Sequence, residues 1–521
     1  MRHLRWLWIV CFLMACSATS AHQSLPSPTP NRALALTSFP TVIRPIANII
    51  TATPVVTPTP PMASPLAPTE SPCGVTAAPR AEHQVSAVVN YAVRTVDVQQ
   101  VLHYPNLSGA PLTELVMNVE PNRWPSAFTL QQLTLGDANI TPAFTLTGRR
   151  LDIPLPAPLL PNCALELRLA FRLVVPEVIG GFEAFRGYFG QTPRQMNLGH
   201  WLPTVVPWVN GEWLYHDTVL IGEQIVLEPA DWDVTFTLTD SPAGLQIAAP
   251  GTVEQPSADV WHFTHRNGRD FAASFSNVFR VSQAQTADGV TVEAYTMPDA
   301  LLPDSNGGWI DTGAYAAQIG ADSLALYAEY FGEYPHPRMV IVQGDFPDGM
   351  EFSGFTFVST DWFVTYDQTP ANYLTLITVH EVAHQWWYDR VGNDQALAPW
   401  LDEALSTYSE LLYLERFHPD LVAWWWWFRV NRHAPQGWVD TTVYELDQIR
   451  PYINAVYLRG VLMLQQSRQV MGDAAFFSWL ARYADENTGR LATGDVFWAA
   501  VPPDYQDAVA AIRATYLRGV R

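Results

Sequence analysis

The chain has 521 residues, 48% hydrophobic and 12% aromatic. That is enough for about two to four domains whose cores need no staples, and it excludes a chain that is disordered throughout. Fifty acidic against 29 basic side chains give a net charge of −21, and no basic face is visible to neutralise phosphates, which excludes nucleic acid as a partner.

The opening, MRHLRWLWIVCFLMAC, places Arg2 and Arg5 before an apolar run from Trp6 to Ala15 and ends on Cys16. So short a run does not span a bilayer comfortably and reads as a secretory leader over residues 1–16. Leu13-Met14-Ala15-Cys16 resembles a bacterial lipobox, with Met a less usual second residue. The resemblance implies that Cys16 is lipidated and holds the protein to the bacterial cell membrane, facing outside the cytoplasm; a plain cleaved leader is the alternative. Residues 17–79 are dominated by Pro, Thr, Ser and Ala, as in TPTPPMASPLAPTESP. They offer little to bury and read as an extended tether. Cys11 and Cys16 belong to the leader, leaving Cys73 and Cys163. An oxidising compartment favours a disulfide between these two, and separate thiols are the alternative.

Residues 80–287 are β-rich. In DVTFTLTD, Val234, Phe236 and Leu238 alternate with threonines, the period of a half-buried strand. VSAVVNYAVRTVDVQQVLHY, from Val85, is long and β-branched, and PNLSGAP and DSPAG supply turns. Residues 288–521 read as mainly helical. TGAYAAQIGADSLALYAEYFG, NYLTLITVHEVAHQWWYDRV, PWLDEALSTYSELLYLERF and NAVYLRGVLMLQQSRQVMG have helical spacing, with Pro399 suited to a helix start. The run Trp424 to Trp427 suggests only burial against neighbouring helices. The expected fold is α+β and multidomain, a β-sheet domain followed by a mainly helical one.

The second helical stretch contains VHEVAHQWW. His380 and His384 are four apart, so a helix presents both imidazoles on one face, with Glu381 on its flank. This is the spacing of two zinc ligands and a general base. By average residue usage the pattern arises by accident in about one or two per cent of chains this long. Glu403, in PWLDEALSTY on the next helix, stands where a third ligand is needed, and its presence lowers the accidental rate about another fifteenfold. A zinc site on His380, His384 and Glu403 follows, one Zn²⁺ per chain, with Glu381 taking the water proton.

These residues, with Gly349, Met350 and Glu351 in DGMEFSGFTFVS, Tyr457 in VYLRG, and YFGEYPHPRMVIV, resemble the gluzincin metallopeptidases of the M1 aminopeptidase family, densely from about residue 327 to 465. NLGHWLPTVVPW and RDFAASFSNVFRV extend the likeness into the β-rich part. The resemblance implies a saddle-like β-domain before a thermolysin-like catalytic domain. It implies that Glu351 binds the α-ammonium of a peptide substrate, that Gly349 and Met350 lie along that substrate, and that Tyr457 donates to the oxyanion. Tyr452 is a competing candidate for Tyr457, which could also be a packed aromatic. Phe352 stands where the family usually has Asn, and Asp402 where many animal members have Asn. The large C-terminal helical domain of longer members, which roofs the substrate cavity, is not expected here. A zinc aminopeptidase is the leading expectation; a zinc endopeptidase and a non-catalytic surface binding protein are the alternatives.

Overall fold

A computed structural model of the chain describes residue 73 and residues 78–180 and 185–519. The expected leader with Cys16, and nearly all of the tether, lie outside the described residues.

The β-rich part is built on an eight-stranded sheet. In chain order its strands are β1 Ala81–Asn90, β2 Thr95–Pro105, β3 Phe128–Leu135, β4 Ala138–Asn139, β5 Ala164–Val174, β6 Ala230–Thr239, β7 Thr252–Ser257 and β8 Val260–Gly268. Their spatial order is β7-β8-β6-β1-β2-β5-β3-β4. Only β1 and β6 pair in parallel; the other neighbours are antiparallel. On β6, Val234, Phe236 and Leu238 are buried while the threonines between them are partly exposed, as their alternation requires. The stretch from Val85 to Tyr104 is two strands, not one. It reverses at Tyr91 to Arg94, where Arg94 has φ 56° and the Asn90 side chain accepts from Val93 N at 3.2 Å.

Cys73 and Cys163 form a disulfide, with Cα atoms 5.7 Å apart and 90 residues of sequence between them. Closing so long a loop restricts the unfolded chain. Cys73→Ser is therefore expected to lower stability by about 2–4 kcal/mol, read from denaturant melts with and without reductant.

The second part has a five-stranded sheet of β9 Arg280–Gln285, β10 Thr291–Thr296, β11 Arg338–Gly344, β12 Gly349–Phe352 and β13 Phe355–Ser359, in spatial order β9-β10-β11-β13-β12. Strand β9 lies before the expected boundary at 287, so this layer begins inside the stretch read as the first domain. Pleating divides its side chains. Val340, Val342, Phe355 and Phe357 join the core of the β-rich part, whereas Met339, Ile341 and Val358 join the core beneath the helices. The sheet is shared by both cores. Buried Arg269 reinforces the junction by donating to the backbone carbonyls of Leu227, Tyr388, Asp389 and Arg490.

Three helices set the site. Helix α1, Thr312–Phe331, is capped by Asp311 accepting from Ala314 N at 3.0 Å and stops at Gly332, φ 95°. Helix α2, Tyr373–Ala383, is capped by Asn372 on Thr375 N and is buried from Leu374 onward. Helix α3, Trp400–Phe417, follows Pro399 and is buried from Trp400 to Leu414, polar residues included. A helix buried on every side that still carries Asp402, Glu403, Ser406, Thr407, Ser409 and Glu410 must satisfy those groups internally, and this is where the chemistry gathers.

Candidate metal centre

His380 and His384 lie one turn apart on α2 and face Glu403 on α3. His380 Nε2 is 3.2 Å from His384 Nε2 and 3.2 Å from Glu403 Oε2, and His384 Nε2 is 3.7 Å from the same oxygen. Tetrahedral zinc with bonds of about 2.0–2.1 Å separates its ligand atoms by about 3.3–3.4 Å, so the spacing fits. The ring tautomers agree. His384 Nδ1 is 3.0 Å from Trp387 O, a carbonyl that can only accept, and His380 Nδ1 is 3.1 Å from Glu410 Oε1. Both Nδ1 atoms are therefore donors, and both Nε2 lone pairs point at the Glu403 carboxylate. With both imidazoles neutral, three acceptor atoms converge, a set suited to a cation. Burial holds His384 down to about 4, in the neutral form a ligand needs. Burial opposes a charge on His380, but Glu403 and Glu410 outweigh it and lift its pKa to about 10; that proton is the one a metal releases on binding.

Glu410 was not expected from the sequence. It stands seven residues after Glu403 on α3, two turns along the same face. Its carboxylate also accepts from Arg429 Nη2 at 2.9 Å, Arg429 Nε at 3.0 Å and Trp425 Nε1 at 3.0 Å. Part of the tryptophan run thus has a place: Trp425 is fully buried on Glu410, whereas Trp427 is 58% exposed. Arg429 lies on a π-helical turn, Trp426–Val430, and Tyr457 on another, Asn454–Leu458. Such turns re-aim a side chain within a helix and are frequent at functional sites.

The Tyr457 ring lies parallel to that of His380, centroids 6.1 Å apart, and Glu403 is among the groups that raise the pKa of its hydroxyl, after burial. Tyr452 packs edge-on against Tyr457 at 5.9 Å and is buried, its hydroxyl turned toward Gly222 with no hydrogen-bond partner. Of the two tyrosines, Tyr457 is the one set on the ligand group.

Among the described residues strand β12 pairs with β13 alone and so forms the edge of its sheet, the kind of strand to which an extended peptide can add. Met350 is buried and its carbonyl accepts from Thr356 Oγ1 at 3.0 Å, while the same hydroxyl lies 3.3 Å from Glu381 Oε2. Gly349 backs directly onto Glu381: a Cβ there would sit 2.1 Å from Oε1. Gly349→Ala is expected to leave stability nearly unchanged, because the carboxylate can swing away. Its activity should fall by about 10–100-fold, read as kcat at constant metal content, since a displacement of about 1 Å suffices for such a loss.

Glu351 accepts from Gln395 Nε2 at 3.0 Å, and its carboxylate lies with Glu381 and His384 in a group whose ligand atoms are within 4.8 Å of one another. Glu223, from the β-rich part, completes the acidic wall. Burial first, then Glu403, pushes Glu223 up to about 8; burial, then Glu223, Glu381 and Glu403, holds Glu351 well above the carboxylate range. Asp402 behaves likewise through burial and Glu403, and it accepts from Glu403 N at 2.8 Å. Glu223 and Gln395 sit on loops with no local motif, and only the tertiary fold brings them here. Phe352 does not reach this wall; it is buried against His200 at 4.9 Å and Tyr188 at 6.4 Å.

Residues 315–516 match the peptidase family M1 domain. Among similar proteins, Aminopeptidase M1-A of Oryza sativa subsp. japonica is 26% identical over 247 residues, 43% of this chain and 26% of that protein. Endoplasmic reticulum aminopeptidase 1 of Homo sapiens is 26% identical over 231 residues, 41% of this chain and 23% of that protein. The chain thus spans about a quarter of the length of these M1 relatives. In fold it is similar to the M1 zinc metallopeptidase from Deinococcus radiodurans, at TM-score 0.62 and 18% identity, covering 85% of this chain and 94% of that one. A mutant of that metallopeptidase bound to a Tyr-ser-ala substrate superposes at TM-score 0.61 and 18% identity, over 84% of this chain and 94% of that one.

Proposed function

We propose that the chain is a zinc aminopeptidase that removes N-terminal residues from peptides outside the cytoplasm. One juxtaposition carries the reading. The carboxylate of Glu351, with Glu223 in electrostatic reach, lies on an edge strand beside a two-histidine, one-carboxylate ligand set. When bound by His380, His384 and Glu403, zinc supplies Lewis acidity toward the substrate carbonyl and makes water a nucleophile at neutral pH. The α-ammonium of the substrate neutralises Glu351 and Glu223, which fixes cleavage one residue in. The peptide backbone extends along β12. Glu381, a stronger base for being buried among carboxylates, takes a proton from the attacking water and returns it to the leaving amine. Tyr457 donates its hydroxyl hydrogen to the carbonyl oxygen as that oxygen gains charge. Export is supported by the Cys73–Cys163 disulfide, which suits an oxidising compartment, and by the leader-like opening; anchoring through Cys16 belongs to the same proposal.

The test is hydrolysis of aminoacyl-anilides beside their N-acetylated equivalents by the zinc-loaded chain. Cleavage confined to free amines is expected. Equal cleavage of blocked substrates would make the enzyme an endopeptidase and remove Glu351 and Glu223 from amine binding.

A further inference from the structure

The segment 393–398 leads from the metal helix α2 to Pro399, the residue before α3. Asp394 folds it into a tight turn. Its Oδ1 accepts from Ala396 N at 3.1 Å and from Leu397 N at 3.0 Å, and its carbonyl accepts from Ala398 N at 2.7 Å. The turn is also tied from outside. Val443 N donates to Ala396 O at 3.0 Å, and Nε2 of His216, from the β-rich part, lies 2.8 Å from Asp394 Oδ1. A side chain rooted in such a turn has a fixed origin. Gln395 is rooted there, and it is buried.

Gln395 Nε2 donates to Glu351 Oε1 at 3.0 Å, and among the described residues it is the only hydrogen-bond donor to that carboxylate. The carboxylate has a second place to go. Glu351, Glu381 and His384 bring their ligand atoms within 4.8 Å of one another, which is the spacing of a metal-ligand group. That group shares His384 with the set on His380 and Glu403. A glutamate side chain has several rotatable bonds, so an unheld Glu351 is free to turn toward the metal ligands instead of standing where an ammonium arrives. A hydrogen bond from a fixed donor selects one orientation. Glu381, in the same group, lies 3.3 Å from the Thr356 hydroxyl. Each carboxylate that stands beside the His380, His384 and Glu403 set without belonging to it is thus restrained by a neutral donor.

We infer that Gln395 is a positioning residue that holds the Glu351 carboxylate off the metal ligands and aims it at the α-ammonium of the substrate. The inference rests on the aminopeptidase reading of the same site. In this role Gln395 acts through Glu351 alone, so its loss weakens the capture of amines and spares ligands that carry none.

The test compares the affinities of the zinc-loaded full chain for alanine hydroxamate and propionohydroxamate, measured by calorimetry. The two ligands share a metal-binding group and differ by the amine alone. The wild type is expected to prefer alanine hydroxamate by at least about tenfold, the size of a hydrogen bond to a charged group. In Q395M, which keeps the volume and removes the donor, that preference should fall by at least about threefold while propionohydroxamate binds as before. In E351Q the preference should already be lost, and E351Q/Q395M should show no further change. An unchanged preference in Q395M, equal weakening of both hydroxamates, or a further loss in the double variant would overturn the proposal. Should Q395M fail to fold, Q395N, whose amide is drawn back from Glu351, is read in the same way. A wild type with no preference for the amine would sink the aminopeptidase reading itself, and the role of Gln395 with it.

Discussion

Glu381→Gln is expected to lower kcat by about 10²–10⁴-fold while leaving metal binding intact. The side chain is buried, hydrogen-bonded at 3.3 Å to Thr356 Oγ1, and closely backed by Gly349. Glutamine fills the same volume and keeps the Thr356 contact but cannot take up a proton. The loss should therefore fall on kcat, with KM little changed and one equivalent of zinc still bound. Loss of zinc together with activity would mean that Glu381 serves the metal rather than the water. A loss below about tenfold would remove it from proton transfer.

Glu410→Gln is the second large effect, and it acts at one remove from the metal. Glu410 is fully buried, fixes His380 through Nδ1 at 3.1 Å and is the ion-pair partner of Arg429 at 2.9 Å. Outer partners of this kind set the basicity and aim of a ligand, and their removal weakens metal binding by about 10–100-fold. Arg429 is left without its counter-charge, at a cost of about 3 kcal/mol of stability. Zinc competition with a chelating dye and a thermal melt separate the two effects. A variant that melts early but binds zinc as the wild type does would make Glu410 a structural anchor only.

What the sequence disclosed follows the range of its signals. His380, Glu381 and His384 were legible because one helical turn fixes their geometry, and Glu403 because it opens the next helix. Glu410 was within reach by the same rule, since a residue seven beyond a ligand shares its helix face. The tryptophan run could not reveal that Trp425 donates to Glu410, because that contact joins two separate helices. Glu223 and Gln395 come from loops, placed by packing alone. The hairpin at Tyr91 to Arg94 lacks Gly and Pro, and Asn90 was its sole turn signal. The shared five-stranded sheet hid the boundary between the two parts: β9 reads as one more strand of the β-rich stretch, yet it pairs with β10.

The most direct measurement is a zinc titration of the metal-stripped full chain, following calorimetric heat and alanine anilide hydrolysis together. The account predicts that one equivalent saturates both signals in the wild type, and that His384→Ala shows neither tight binding nor hydrolysis. Full hydrolysis by the stripped chain, or tight one-equivalent binding in His384→Ala, would contradict a metal centre built on His380, His384 and Glu403.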